Sequence, residues 1–176
     1  MRVGNLAVFL TWLCVAVVPV GQISAQQGNG FRIVGIALND RLDYVLRKLG
    51  KPIAPTLDGP ILDYRATDGG NLIIAFEKGV VDEIQVRNRN LSGHTEFKTS
   101  SWICLTNYTG NLVLKFGDTE EKCVSLLGKP QKIPDPEGRP GIEYLQFPRK
   151  RVVVELVRGE LTSITLRRNP IVFKRR

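Results

Sequence analysis

The sequence holds a single histidine, His94, set among Ser92, Gly93 and Thr95. Proton transfer by an imidazole needs a partner group held against it, and this polar stretch supplies none, so His94 reads as a solvated linker residue. Asp82 and Glu83 are neighbours in an alternating apolar segment. On a strand they point to opposite faces, which is wrong for an acid–base pair. Structural zinc needs cysteines and histidines in close pairs, whereas Cys14, Cys104 and Cys123 lie far apart. Gly50-Lys51 and Gly128-Lys129 hint at a phosphate loop, but each is followed by proline, which lacks the amide a phosphate would use. There is no Gly-x-Ser-x-Gly elbow either. No catalytic residue, cofactor site or metal ligand is assigned, and the chain reads as a non-enzyme.

The two cysteines with chemistry left to them are Cys104 and Cys123. Their redox state depends on compartment, and the first residues speak to that. Arg2 precedes an apolar run from Leu6 to Val20, and Ile23-Ser24-Ala25 follows. This is the pattern of a signal peptide cleaved after Ala25, with no membrane span left behind; a retained membrane anchor is the other reading. Cys14 has bulky Trp12 and Leu13 before it, unlike a lipid-modified cysteine. The expected location is secreted or periplasmic. In an oxidising compartment Cys104 and Cys123 can pair, a bridge worth roughly 3 kcal/mol. The other reading is two buried thiols packed as small hydrophobes.

The elements that must position such residues occur twice. Leu42, Val45, Leu46 and Leu49 form one helical stripe, preceded by Asn39-Asp40 and stopped by Gly50-Lys51-Pro52. At an offset of 78, Asp118 begins a second helix, with Glu121 placed to complete a capping box. Its stripe is Cys123, Val124 and Leu127, and Gly128-Lys129-Pro130 stops it. Strands are expected at 61–66, 71–77 and 80–87, with Lys78-Gly79 as a two-residue hairpin. At an offset of 80 the pattern returns, pairing Tyr144 with Tyr64, Leu156 with Phe76, Gly159 with Gly79 and Ile164 with Ile84.

The fold class expected is α+β, a tandem repeat of a short helix packed on a three- to four-stranded antiparallel meander. The divisions are a cleaved leader at 1–25, a disordered segment at 26–30, a first repeat at 31–90, a second at 91–170 with a hairpin insertion near 101–116, and a basic tail at 171–176. One copy has too little apolar surface to offset the entropy of ordering it, so each copy is expected to shelter the other.

The strand faces turned away from the helices carry Arg65, Ile73 and Arg87 in the first half and Leu145, Phe147, Val153 and Arg167 in the second. An apolar centre ringed by arginines suits a protein partner; equally, this face can pack between the repeats. The formal net charge is +8, and residues 101–176 hold 14 basic against 8 acidic side chains. Binding to an anionic lipid or polysaccharide through that half is the alternative. Aromatics are not interleaved with the basic clusters, which disfavours nucleic acid.

The helix ending Leu-Gly-Lys-Pro, the Pro/Gly loop, the Tyr-bearing strand and the Gly-turned hairpin resemble the superfamily of the β-lactamase inhibitory protein and the small outer-membrane assembly lipoproteins of the SmpA/OmlA type. The resemblance covers 31–87 and 97–167. It implies an exported α+β fold that binds a protein with its sheet face. The chain departs from the lipoproteins in lacking a lipid-attachment cysteine, and no stretch carries over the inhibitor's enzyme contacts.

Overall fold

The computed structural model describes residues 30–55, 61–65, 70–88, 104–135 and 137–170. The expected signal peptide, the segment up to residue 29 that is expected to be disordered, His94 with its expected linker and the basic tail lie outside the described residues.

Among the described residues, eleven strands form two antiparallel sheets. The larger contains β2 (Ala54–Pro55), β3 (Ile61–Arg65), β4 (Gly70–Glu77), β5 (Val80–Asn88), β8 (Gln131–Ile133), β9 (Ile142–Phe147), β10 (Val152–Val157) and β11 (Glu160–Arg167). Its order is β2-β3-β4-β5-β11-β10-β9-β8. The smaller is β1 (Phe31–Ile33), β6 (Cys104–Asn107) and β7 (Leu112–Lys115), in the order β1-β6-β7. Two eight-residue helices, α1 (Leu42–Leu49) and α2 (Glu120–Leu127), complete the fold.

The expected α+β tandem repeat is therefore corrected. Strand accounts for 51% and helix for 17% of the structure, and its two sheets are not two helix-plus-meander modules. The reason lies in strand edges. β5 and β11 pair directly, Val86 opposite Ile164 and Ile84 opposite Leu166, so the backbone groups that would be left open at each edge are satisfied by one continuous sheet. The smaller sheet joins β1, which precedes α1, to the β6–β7 hairpin far along the chain.

Turn chemistry follows local rules. Lys78-Gly79 and Arg158-Gly159 close their hairpins with positive φ at both residues, 53° and 79° in the first, 53° and 82° in the second. That twist matches the strands it joins, and glycine adopts it without steric cost. The segments ahead of the helices are tied to the sheet. Asn39 donates to Val81 O at 2.9 Å, and Val81 donates to Asp40 O at 2.8 Å. Gly117 donates to Leu161 O at 3.0 Å, and Leu161 donates to Asp118 O at 2.9 Å.

The expected caps differ in detail. Arg41 is the N-cap of α1 and makes no side-chain cap. Asp40 instead accepts the Ala37 amide at 2.8 Å, and Asp118 accepts the Lys115 amide at 2.8 Å. Thr119 caps α2 by accepting the Lys122 amide, and its hydrogen bond with Glu121 holds that carboxyl below the usual range. Within the stripes Val45, Cys123 and Leu127 are buried, whereas Leu46 stays exposed.

One apolar cluster unites these elements. Ile33, Leu105 and Leu114 of the small sheet meet Ile74, Ile84, Val154 and Ile164 of the large one, with Val45 and Cys123 from the helices. Cys123 is a buried free thiol. The Cys104 side chain lies outside the described residues, so the expected bridge is not placed.

Candidate functional site

Strand register decides which side chains look away from the core. Tyr144 stands opposite Glu155, Glu155 opposite Ser163, Ser163 opposite Arg87, Arg87 opposite Asn71, and Asn71 opposite Arg65. This row crosses six strands on one face. Beside it runs Gln146, Val153, Thr165, Gln85, Ile73 and Asp63. The intervening row, Leu145, Val154, Ile164, Val86, Leu72 and Tyr64, faces the core and is buried throughout.

Arg65, Ile73, Arg87, Val153 and Arg167 thus share the outer face, although Val153 is only 6% exposed and offers a partner little surface. Leu145 and Phe147 do not: they are 0% and 2% exposed and belong to the core cluster. The expectation that they form an apolar centre for a partner is corrected, and the cause is parity. Leu62 pairs with Ile74 as Leu145 pairs with Val154. The equivalent offset at β9 is therefore 83, although it is 80 along β10 and β11. An odd difference moves every side chain of a strand to the other face. Tyr64 and Tyr144, aligned by sequence, consequently point in opposite directions. Tyr64 is buried and donates to Gly50 O at 3.1 Å. Tyr144 turns outward.

The centre of the outer face is polar. Glu155 is only 4% exposed. Its Oε2 accepts the Tyr144 hydroxyl at 2.6 Å and a guanidinium N–H of Arg87 at 3.3 Å, and its Oε1 accepts the Thr162 hydroxyl at 3.2 Å. Thr162 is free to do this because the ladder shifts register between Glu155 and Leu156, leaving one extra residue on β11. Arg139 donates to the Tyr144 oxygen at 3.0 Å and is itself held by Asp135. Burial and the bond to Glu155 push the Tyr144 phenol up to about 12. The Asp135 bond likewise raises Arg139, and Asp135 is lowered in return.

A second charged group lies where β5 and β11 diverge. Arg167 Nε is 3.2 Å from Glu83, and Arg168 bridges Glu77 at 3.3 Å and Asp82 at 3.4 Å. The Nε groups of Arg167 and Arg168 are buried but not aligned for a hydrogen bond, so the Glu83 and Asp82 contacts act through charge, whereas Arg168 donates through Nη1 to Glu77. Asp82 occupies the bulge of β5 as Thr162 occupies that of β11.

The Glu155 carboxylate is already engaged by three donors, so it is no free base. The phenol keeps its proton far above neutral pH. Among the described residues no group of three or more His, Cys, Asp or Glu side chains is placed to hold a metal, and no helix is long and apolar enough to cross a membrane. Tyr144, Gln146, Thr162 and Arg139 escape the sequence reading. The first two follow from β9 parity, and the other two depend on a bulge and a loop that periodicity does not mark. No family model, curated protein or solved structure matches this chain.

Proposed function

We propose that this chain is an exported, non-enzymatic binding module that recognises a protein partner through the outer face of its large sheet. The observation that carries the reading is the Arg87–Glu155–Tyr144 network. Burying a carboxylate on a face that does not belong to the core costs stability unless it is fully bonded. Here the bonds hold an arginine and a tyrosine in fixed positions with their outer parts still reachable: Arg87 remains 42% exposed. Arginine and tyrosine dominate the energetics of protein interfaces, and side chains ordered in advance lose less entropy on binding. Ile73 adds a half-buried apolar contact beside them.

The test is capture from the native envelope or secretome by wild type and by an Arg65→Glu, Ile73→Asp variant of unchanged thermal stability. A partner retained by wild type and lost by the variant is the expected result. Equal capture of that partner by both would remove the outer face as its docking surface.

Diffuse attraction to an anionic polymer through the second half is the weaker reading. Lys122, Lys132, Arg139, Arg167 and Arg168 all have carboxylate partners, which cuts the outward field those charges could supply.

A further inference from the structure

Between the end of α2 and the turn after β9 lies a groove of about 820 Å³, on the helix side of the large sheet. Leu127, Pro130, Phe147 and Pro148 give it an apolar lining, and Lys129, Arg149 and Lys150 also line it. All three cations are exposed. Among the described residues no acidic side chain lines the groove, and none of the three cations has a carboxylate partner. Lys129 can be explained by the carbonyl end of α2, where a positive charge is favourable. Arg149 and Lys150 belong to a 3-10 turn on another element and have no such account. Lys150 also lies 5.9 Å from the Phe31 ring centroid.

Gln131 lines the same groove and opens β8. β8 is the last strand of the large sheet. Among the described residues its outer edge has no paired strand, so backbone groups there remain available to an added segment.

We infer that this groove binds a short extended acidic peptide of a partner protein, with carboxylates on Lys129, Arg149 and Lys150, an apolar side chain over the half-buried Pro130 and Pro148, and backbone bonds along β8. Charge complementarity selects the occupant. The chain's own tail, Lys174-Arg175-Arg176, carries the wrong sign. A sheet edge beside the cations favours a peptide over a lipid, since lipid supplies no matching backbone donors and acceptors. The volume is that of a ligand pocket, room for a few side chains rather than a whole domain. This inference stands apart from the outer-face reading, because Phe147 faces the core side.

The experiment uses the mature chain and a fluorescent peptide of alternating Glu and Val or Leu. Saturable binding is expected, weakening about tenfold or more in an Arg149→Glu, Lys150→Glu variant and at high salt. Amide shifts at Gln131, Lys132 and Ile133 should accompany it. A counterpart with Lys in place of Glu should not bind. The inference is overturned if the acidic peptide fails to bind, if the double reversal leaves its affinity unchanged, or if phosphatidylglycerol vesicles bind where the peptide does not, which would indicate a membrane surface instead. Both substituted residues are exposed, so loss of folding does not confuse the result, and Arg65→Glu leaves this binding intact while testing the other face.

Discussion

Tyr144 donates its hydroxyl to Glu155 at 2.6 Å across two paired strands, on the face opposite the one that Tyr64 occupies. That bond is the tightest link to a carboxylate that is almost wholly out of water. Hydrogen bonds to charged groups contribute more than neutral ones, and leaving one end unmet costs more still.

Tyr144→Phe should therefore lower stability by about 1.5–3 kcal/mol, read as a fall in the urea midpoint with an unchanged slope. An ultraviolet titration should show one fewer late-ionising phenol, because wild-type Tyr144 is raised to about 12. The sign follows from linkage. A phenol whose folded value is raised contributes stability that is present below its unfolded value and lost as pH climbs through the folded one. A variant as stable as wild type, with the late phenol still present, would remove Tyr144 from the network.

The two stop signals and the hairpins at Lys78-Gly79 and Arg158-Gly159 were legible because they depend on neighbouring residues alone. The face of β9 was not. Its parity is set by how many residues the loops on either side consume, and Pro/Gly loops carry no periodic signal. A match of Tyr144 to Tyr64 looks persuasive in one dimension yet places Leu145 and Phe147 on the wrong side. The union of β5 with β11 escapes for another reason. Alternation shows that a strand exists but not which edge it will meet. Of the expected site, the arginines and Ile73 survive on the outer face because simple alternation gives the phase of β3, β4, β5 and β11 at those positions, and the carboxylate network does not appear in any motif.

That correction of parity makes its own prediction. Leu145→Ala should cost about 2–5 kcal/mol through the cavity it leaves, whereas Arg65→Ala, exposed on the other side, should stay within about 0.5 kcal/mol. Chemical denaturation of the two variants decides it. A mild Leu145→Ala that instead abolishes partner capture would restore Leu145 to the binding face and invert the assignment of β9.

Cys123 tests the interior. Its thiol is free, buried and pushed up to about 11, by burial first and by the nearby Asp118 carboxylate second, with Lys122 pulling the other way. An unfolded thiol ionises near 9, so between these values the unfolded chain loses its proton first. The contribution of Cys123 to stability is then complete below about pH 9 and is lost as pH rises through about 11. Cys123→Ala should consequently be destabilising near neutral pH, with the gap to wild type narrowing over that alkaline window as both are followed by urea denaturation. Site-resolved alkylation and mass spectrometry should also find Cys123 unmodified in the native protein and modified once it unfolds, since a protonated buried thiol is inert. Recovery of a Cys104–Cys123 disulfide peptide from unreduced protein would defeat both expectations, because a bridged sulfur neither titrates nor reacts with an alkylating agent.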